Sequence, residues 1–126
     1  MNPSLQARAA YAPGQSQLRS ARSAELQVFG DVTARLNAAA HADSFPAKVS
    51  ALHDNRRLWS RLAADIADDG NGLPQELRAR IFYLAEFTEF HSRRVLQGEA
   101  DLQPLIEINT AMMRGLGGTP AARVAS

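Results

Sequence analysis

Three histidines, His41, His53 and His91, are the residues of this chain best suited to acid–base chemistry or metal ligation. Their spacing supports neither role. No pair has the separation of an HExxH helix, and no cysteine is present to complete a zinc set. No metal or other cofactor is therefore expected. Asp68 and Asp69 are adjacent carboxylates at the end of a helical pattern, where solvent exposure is the ordinary expectation. GxSxG, P-loop and dinucleotide-type glycine fingerprints are absent, and Gly70-Asn71-Gly72 reads as a helix-to-helix turn. The residue chemistry points away from an enzyme.

Arginine offers a second kind of chemistry. Arg56, Arg57 and Arg61 lie close together, Arg78 and Arg80 follow, and Arg93-Arg94 come next, a spacing suited to phosphate contacts. Asp54, Asp65, Glu76, Glu86 and Glu89 are interleaved with them. Fourteen basic and thirteen acidic residues leave a formal charge of +1, so no net field draws the chain to nucleic acid or anionic lipid. A solvated, charge-balanced surface explains the arginines better than direct nucleic-acid binding does.

The most informative polar residues lie where apolar ones belong. At about 100° per residue, Leu105, Ile106, Ile108, Met112, Met113 and Leu116 of LIEINTAMMRGL fall in a sector roughly 160° wide, with Asn109 near its middle. Asn55 interrupts Leu52, Trp59, Leu62 and Ile66 in the same way. Glu25 does so among Leu18, Val28, Phe29 and Val32, and Thr88 and His91 among Leu77, Ile81, Leu84 and Val95. A buried polar group without a partner costs about 1–3 kcal/mol. Asn55, His91 and Asn109 are thus candidates for an internal hydrogen-bond network that fixes helix register, with Asn55 and Asn109 bonded across an interface.

Helices must carry these stripes, because no β-type alternation of useful length occurs and glycine and proline gather between periodic segments. The expected fold is all-α, a single-domain bundle of about four main helices plus a short N-terminal helical arm. The arm spans residues 1–15, with a helix from Pro3 to about Ala10 before Pro13-Gly14; the helical domain covers 16–118, and a tail covers 119–126. The first long helix is expected from Ser16 to Ala42, with Leu18, Ala21, Val28, Phe29, Val32, Leu36 and Ala39 inward and Gly30 on the opposite side. Ser44 is the expected cap of the second, with Pro46 in its first turn and Val49, Leu52, Trp59, Leu62, Ala63 and Ile66 inward. Pro74 opens the third and Gly98 closes it; Asp101 caps the fourth. Neither a signal-peptide core nor an apolar run approaching about eighteen residues is present, so a cytoplasmic chain without membrane insertion is expected.

Tyr83, Phe87 and Phe90 form an aromatic ledge beside the main stripe of the third helix. Either that helix is central and buried on two sides, the preferred reading, or the ledge forms a groove for an amphipathic partner helix. A contiguous exposed patch above a few hundred Å² distinguishes the second from the first.

NRRLW at 55–59, LP at 73–74, LAEF at 84–87, HS at 91–92, LIEIN at 105–109 and GL at 115–116 resemble, in order and spacing, the flagellar biosynthesis regulator FlaF family of alphaproteobacteria. The resemblance covers about residues 11–116, loosely around Tyr11 and Glu25. It implies a small, helical, non-enzymatic cytoplasmic protein that acts with flagellin, and alongside the regulator FlbT, in flagellin synthesis and export. A secretion chaperone that binds flagellin is one form of that role. The alternatives are a regulator of flagellin mRNA, acting directly or through FlbT, and a scaffold joining FlbT to flagellin. The resemblance transfers no catalytic residue and assigns no flagellin contact, so Tyr83, Phe87 and Phe90 are candidates for recognition on their residue types and placement alone.

Overall fold

The computed structural model describes residues 13–68 and 72–116, with side chains described over 26–68 and 72–115. The expected helix from Pro3, the tail over 119–126 and the inward placement of Leu18, Ala21 and Glu25 lie outside these. Among the described residues there are four helices and no strand: α1 (Pro13–Ala42), α2 (Phe45–Ala67), α3 (Gln75–Leu96) and α4 (Gln103–Leu116).

Helix α1 begins three residues before Ser16. Proline is tolerated in the first turn of a helix because the N–H it lacks would have no intrahelical partner there. The seam of α1 is Phe29, Val32, Thr33, Leu36 and Ala39, all buried. Val28, expected on that seam, is exposed, because it turns about 100° away from Phe29. Asp43 then takes a left-handed conformation at φ 48, and Ser44 starts α2 with its hydroxyl accepting from the Ala47 amide at 3.3 Å. Val49, also expected inward, is exposed on the outer flank of α2, while Ala51, Leu52, Trp59 and Ile66 are buried.

Gly98, at φ 78, closes α3. Its amide bonds the Val95 carbonyl at 3.0 Å and the Glu99 amide bonds the Arg94 carbonyl at 2.9 Å, the paired bonds of a Schellman ending. Asp101 acts from one position earlier than a cap. Its carboxylate accepts from the Gln103 amide at 3.1 Å, while the Leu102 carbonyl receives the amides of Leu105 and Ile106.

Helix α1 packs on both α2 and α4, and α2 also packs on α3; α3 and α4 meet only sparsely. Two apolar clusters result. Leu36, Ala39, Ala51, Leu52, Val95, Leu102 and Leu105 form one, and Phe29, Trp59, Ile66 and Ile81 the other, with Phe29 edge-on to Trp59 at 5.9 Å between ring centroids. Each helix places a buried polar residue between its contributions to the two: Thr33 follows Phe29, Asn55 precedes Trp59, Thr88 follows Ile81, and Asn109 follows Leu105. Gly30 faces α4 and not the opposite side, since a Cβ built on it would lie 4.0 Å from Met113 Sδ.

Candidate functional site

The polar residues at mid-height come first, because they set the relation of α2 to α4. Asn109 Nδ2 donates to Asn55 Oδ1 at 2.8 Å, and the Trp59 indole Nε1 donates to Asn109 Oδ1 at 2.9 Å. Both asparagines are fully buried. The side chain of Asn109 therefore uses its donor and its acceptor on one helix at once, and α4 cannot slide along α2 without breaking both bonds. Thr33 and Ser92 satisfy their hydroxyls on the carbonyls of Phe29 and Thr88, four residues back in their own helices. Asn55 Nδ2 and Thr88 Oγ1 have no hydrogen-bond partner among the described residues.

His91 stands apart from the asparagines. Its Nε2 donates to the Asp101 carbonyl at 2.7 Å, an interaction that fixes the ring nitrogen as the donor because a carbonyl can only accept. The ring thus ties the last turns of α3 to the entry of α4. Phe87 stacks on it, with ring centroids 5.4 Å apart and planes inclined by 21°. Of the three histidines it alone is buried; His41 and His53 are exposed, and His41 Nδ1 bonds the Asn37 carbonyl of its own helix at 2.8 Å.

The aromatic ledge divides. Tyr83 and Phe90 are 67% and 56% exposed, whereas Phe87 is half-buried against His91. Burial of α3 on two sides, the preferred expectation, is thus overturned. The physical reason is the packing order: α3 lies against α2, touches α4 only sparsely, and presents its remaining face to solvent. Periodicity along a single helix reports how many apolar positions it has, and not how many neighbours will cover them.

Phe82, absent from the expected ledge, is 42% exposed and occupies a more telling position. Between α2 and α3 runs an open groove of about 500 Å³, floored by Trp59 and the buried Thr88 and walled by Ala63, Phe82 and Ala85. A recess of about 450 Å³, lined by Ile66, Ala67, Gln75, Arg78 and Ala79, adjoins it through the same Phe82. The signal in the sequence was the run IFYLAEF, which holds more large apolar side chains than one inward stripe can use.

An ion pair spans the groove. Arg56 Nε donates to Glu89 Oε2 at 2.9 Å, and Arg56 Nη2 donates to Glu89 Oε1 in a second, parallel bond. The geometry is the bidentate fork that guanidinium and carboxylate planes favour. The side-chain hydrogen bond from Arg56 holds the Glu89 carboxyl below the usual carboxylate range, against partial desolvation, and the same bond raises Arg56. Arg93 adds a smaller depression of Glu89 through its charge. Arg56 is thereby committed to Glu89, and Arg78 donates from Nε to the Ile66 carbonyl at 2.8 Å. Arg57 and Arg61 are exposed on α2.

The arrangement is a shallow open trough, a neutralised ion pair across it, and the exposed Phe82 ring on one wall. No helix among the described residues is long and apolar enough to cross a membrane, and no group of three or more His, Cys, Asp or Glu among them is arranged to hold a metal ion. A family model described as flagellar protein FlaF matches residues 7–116 of the chain. No curated protein and no solved structure matches it.

Proposed function

The chain belongs to the FlaF family of flagellar proteins, and from that premise we propose that it is a non-enzymatic flagellum assembly factor that binds flagellin in the cytoplasm and promotes its synthesis and export. The observation that carries the binding half of this reading is the uncovered face of α3, where Phe82 is exposed on the groove wall and Tyr83 and Phe90 are exposed on the helix outside it. Large aromatic rings in water are a liability to a chain that binds nothing, and they are a common source of affinity for one that does. Flagellin, expected to be helix-forming at its ends, is a suitable occupant in the helix-in-groove mode.

The test is direct. Purified chain mixed with monomeric flagellin at micromolar concentrations is expected to give a stoichiometric complex that survives moderate salt, and Phe90→Glu is expected to weaken it. Flagellin that elutes separately from the wild-type chain removes the reading. Regulation of flagellin mRNA, directly or through FlbT, draws on the exposed Arg57 and Arg61. It calls for RNA affinity that falls steeply with salt and diminishes in Arg57→Ala and Arg61→Ala.

A further inference from the structure

Two charges on the groove wall stand outside the ion pair that matches their neighbours, although the Arg93 charge still reaches Glu89 and helps to lower its carboxyl. Arg56 and Glu89 neutralise one another across the groove, so an apolar side chain laid over them meets no uncompensated charge. Glu86 and Arg93 line the same groove and form no ion pair among the described residues. They are seven residues apart on α3, two turns or about 10.5 Å along the axis, and with Phe82 they fall within about 40° of one another around the helix. An anion and a cation therefore stand in line on the rim, two turns apart, beside a floor of Trp59 and Thr88.

We propose that this groove selects an amphipathic partner helix whose apolar stripe is bordered by one basic and one acidic side chain two turns apart, the basic one meeting Glu86 and the acidic one meeting Arg93. The proposal rests on the binding role inferred above and adds its specificity. An α-helix repeats the same spacing, so residues i and i+7 of the partner reach both rim charges from one face. Because α2 and α3 run in opposite directions, with Arg78 bonded to Ile66 and Glu89 to Arg56, the dipoles of the two walls largely cancel and do not choose the partner's direction. The rim charges do: a partner with its acidic residue first lies antiparallel to α3, and one with its basic residue first lies parallel. A helix carrying two like charges satisfies one rim residue and opposes the other in either direction.

Three synthetic helical peptides of about twenty residues, long enough to lie along the groove, distinguish these cases. All share one leucine and isoleucine stripe; at the two rim positions they carry Lys and Glu, Glu and Glu, or Lys and Lys. Titrated against the full chain at low salt, the mixed peptide is expected to bind roughly threefold to tenfold more tightly than either like-charged one. Glu86→Arg is expected to transfer the preference to the doubly acidic peptide and Arg93→Glu to the doubly basic one. The chain carrying both reversals is expected to prefer the mixed peptide again, bound in the opposite direction. A preference that does not change among these variants overturns the proposal, as does failure of all three peptides to bind. A dimer of the chain that Phe82→Glu dissociates also overturns it, because the occupant is then a second copy. Flagellin measured on the same variants separates the two readings. If it binds the wild-type chain and ignores both single reversals, the flagellin reading stands and the charge register falls; if the peptides follow the register and flagellin does not bind, the reverse holds.

Discussion

At the scale of single residues, Asn55 and Asn109 are unequal partners. Replacing Asn109 by leucine strands two buried groups, the Trp59 Nε1–H and Asn55 Oδ1. At about 1–3 kcal/mol for each orphan, a loss of roughly 2–6 kcal/mol is expected. Asn55→Leu strands only Asn109 Nδ2 and removes with it the unpartnered Asn55 Nδ2, so its expected loss is smaller, about 1–2 kcal/mol. Urea denaturation of the two variants checks the order, and equal or negligible losses remove the register role. Glu89 supplies a pH dependence. Its folded carboxyl is held below the ordinary value by Arg56, so the ion pair contributes stability above the unfolded pKa of about 4.3 and loses it as pH falls through the lower folded value. Both side chains are more than a third exposed, which limits the contribution to under about 1 kcal/mol. The gap in urea midpoint between wild type and Glu89→Gln is expected at pH 7 and should close as pH falls through the depressed folded value and the carboxyl protonates; a gap that widens in acid contradicts the assignment. The asparagines were legible in the sequence as polar interruptions of apolar stripes, whereas the Trp59 indole as their third member was not. One-dimensional projection gives the direction of a side chain but not the atom it meets.

At the scale of elements, the two best-placed glycines should respond in opposite ways. Gly30 lies inside α1, where a Cβ would make an ordinary contact with Met113 Sδ at 4.0 Å. Gly30→Ala is expected to raise stability by about 0.5–1 kcal/mol through helix propensity. Gly98 stands at φ 78 with open space around it, so Gly98→Ala meets backbone strain and no steric relief, and is expected to lower stability by about 1 kcal/mol. Thermal or urea unfolding of the two variants checks the signs; a gain at Gly98 contradicts the closure described for α3. Helix ends were the most readable elements, because Ser44, Pro46, Pro74 and Gly98 act on backbone groups within a few residues of themselves. Asp101 was displaced by one position for the same local reason, since an aspartate can hold the first helical amide from just outside the cap. Inward faces were readable only along their centres. Leu36, Leu52, Trp59 and Leu105 are buried as expected, while the flanking Val28 and Val49 are exposed.

For the whole molecule, the decisive fact is that α1 and α2 are covered on more sides than α3. Tyr83→Ser and Phe90→Ser remove exposed rings, so both are expected to leave the melting temperature nearly unchanged while weakening any complex made through that face. Phe87→Ala belongs to a different class, because its ring rests on the buried His91; it should lower stability, and it is a poor probe of recognition. Calorimetry of the three variants checks the distinction, and a large loss at Tyr83 or Phe90 contradicts the exposed face. The sequence by itself determined that the chain is helical, where its helices end, which residues sit at the centre of each inner stripe, and its likeness to the FlaF family, since all four are recorded in local spacing and residue type. Only the tertiary structure decided that α3 meets its second neighbour, α4, only sparsely, that Phe82 stands between two recesses, that Arg56 pairs with Glu89 and leaves Glu86 and Arg93 on the rim, and that Asn109 bridges Trp59 and Asn55. Each of these depends on which helix lies beside which, a choice made by the summed burial of all four stripes and written in no one of them.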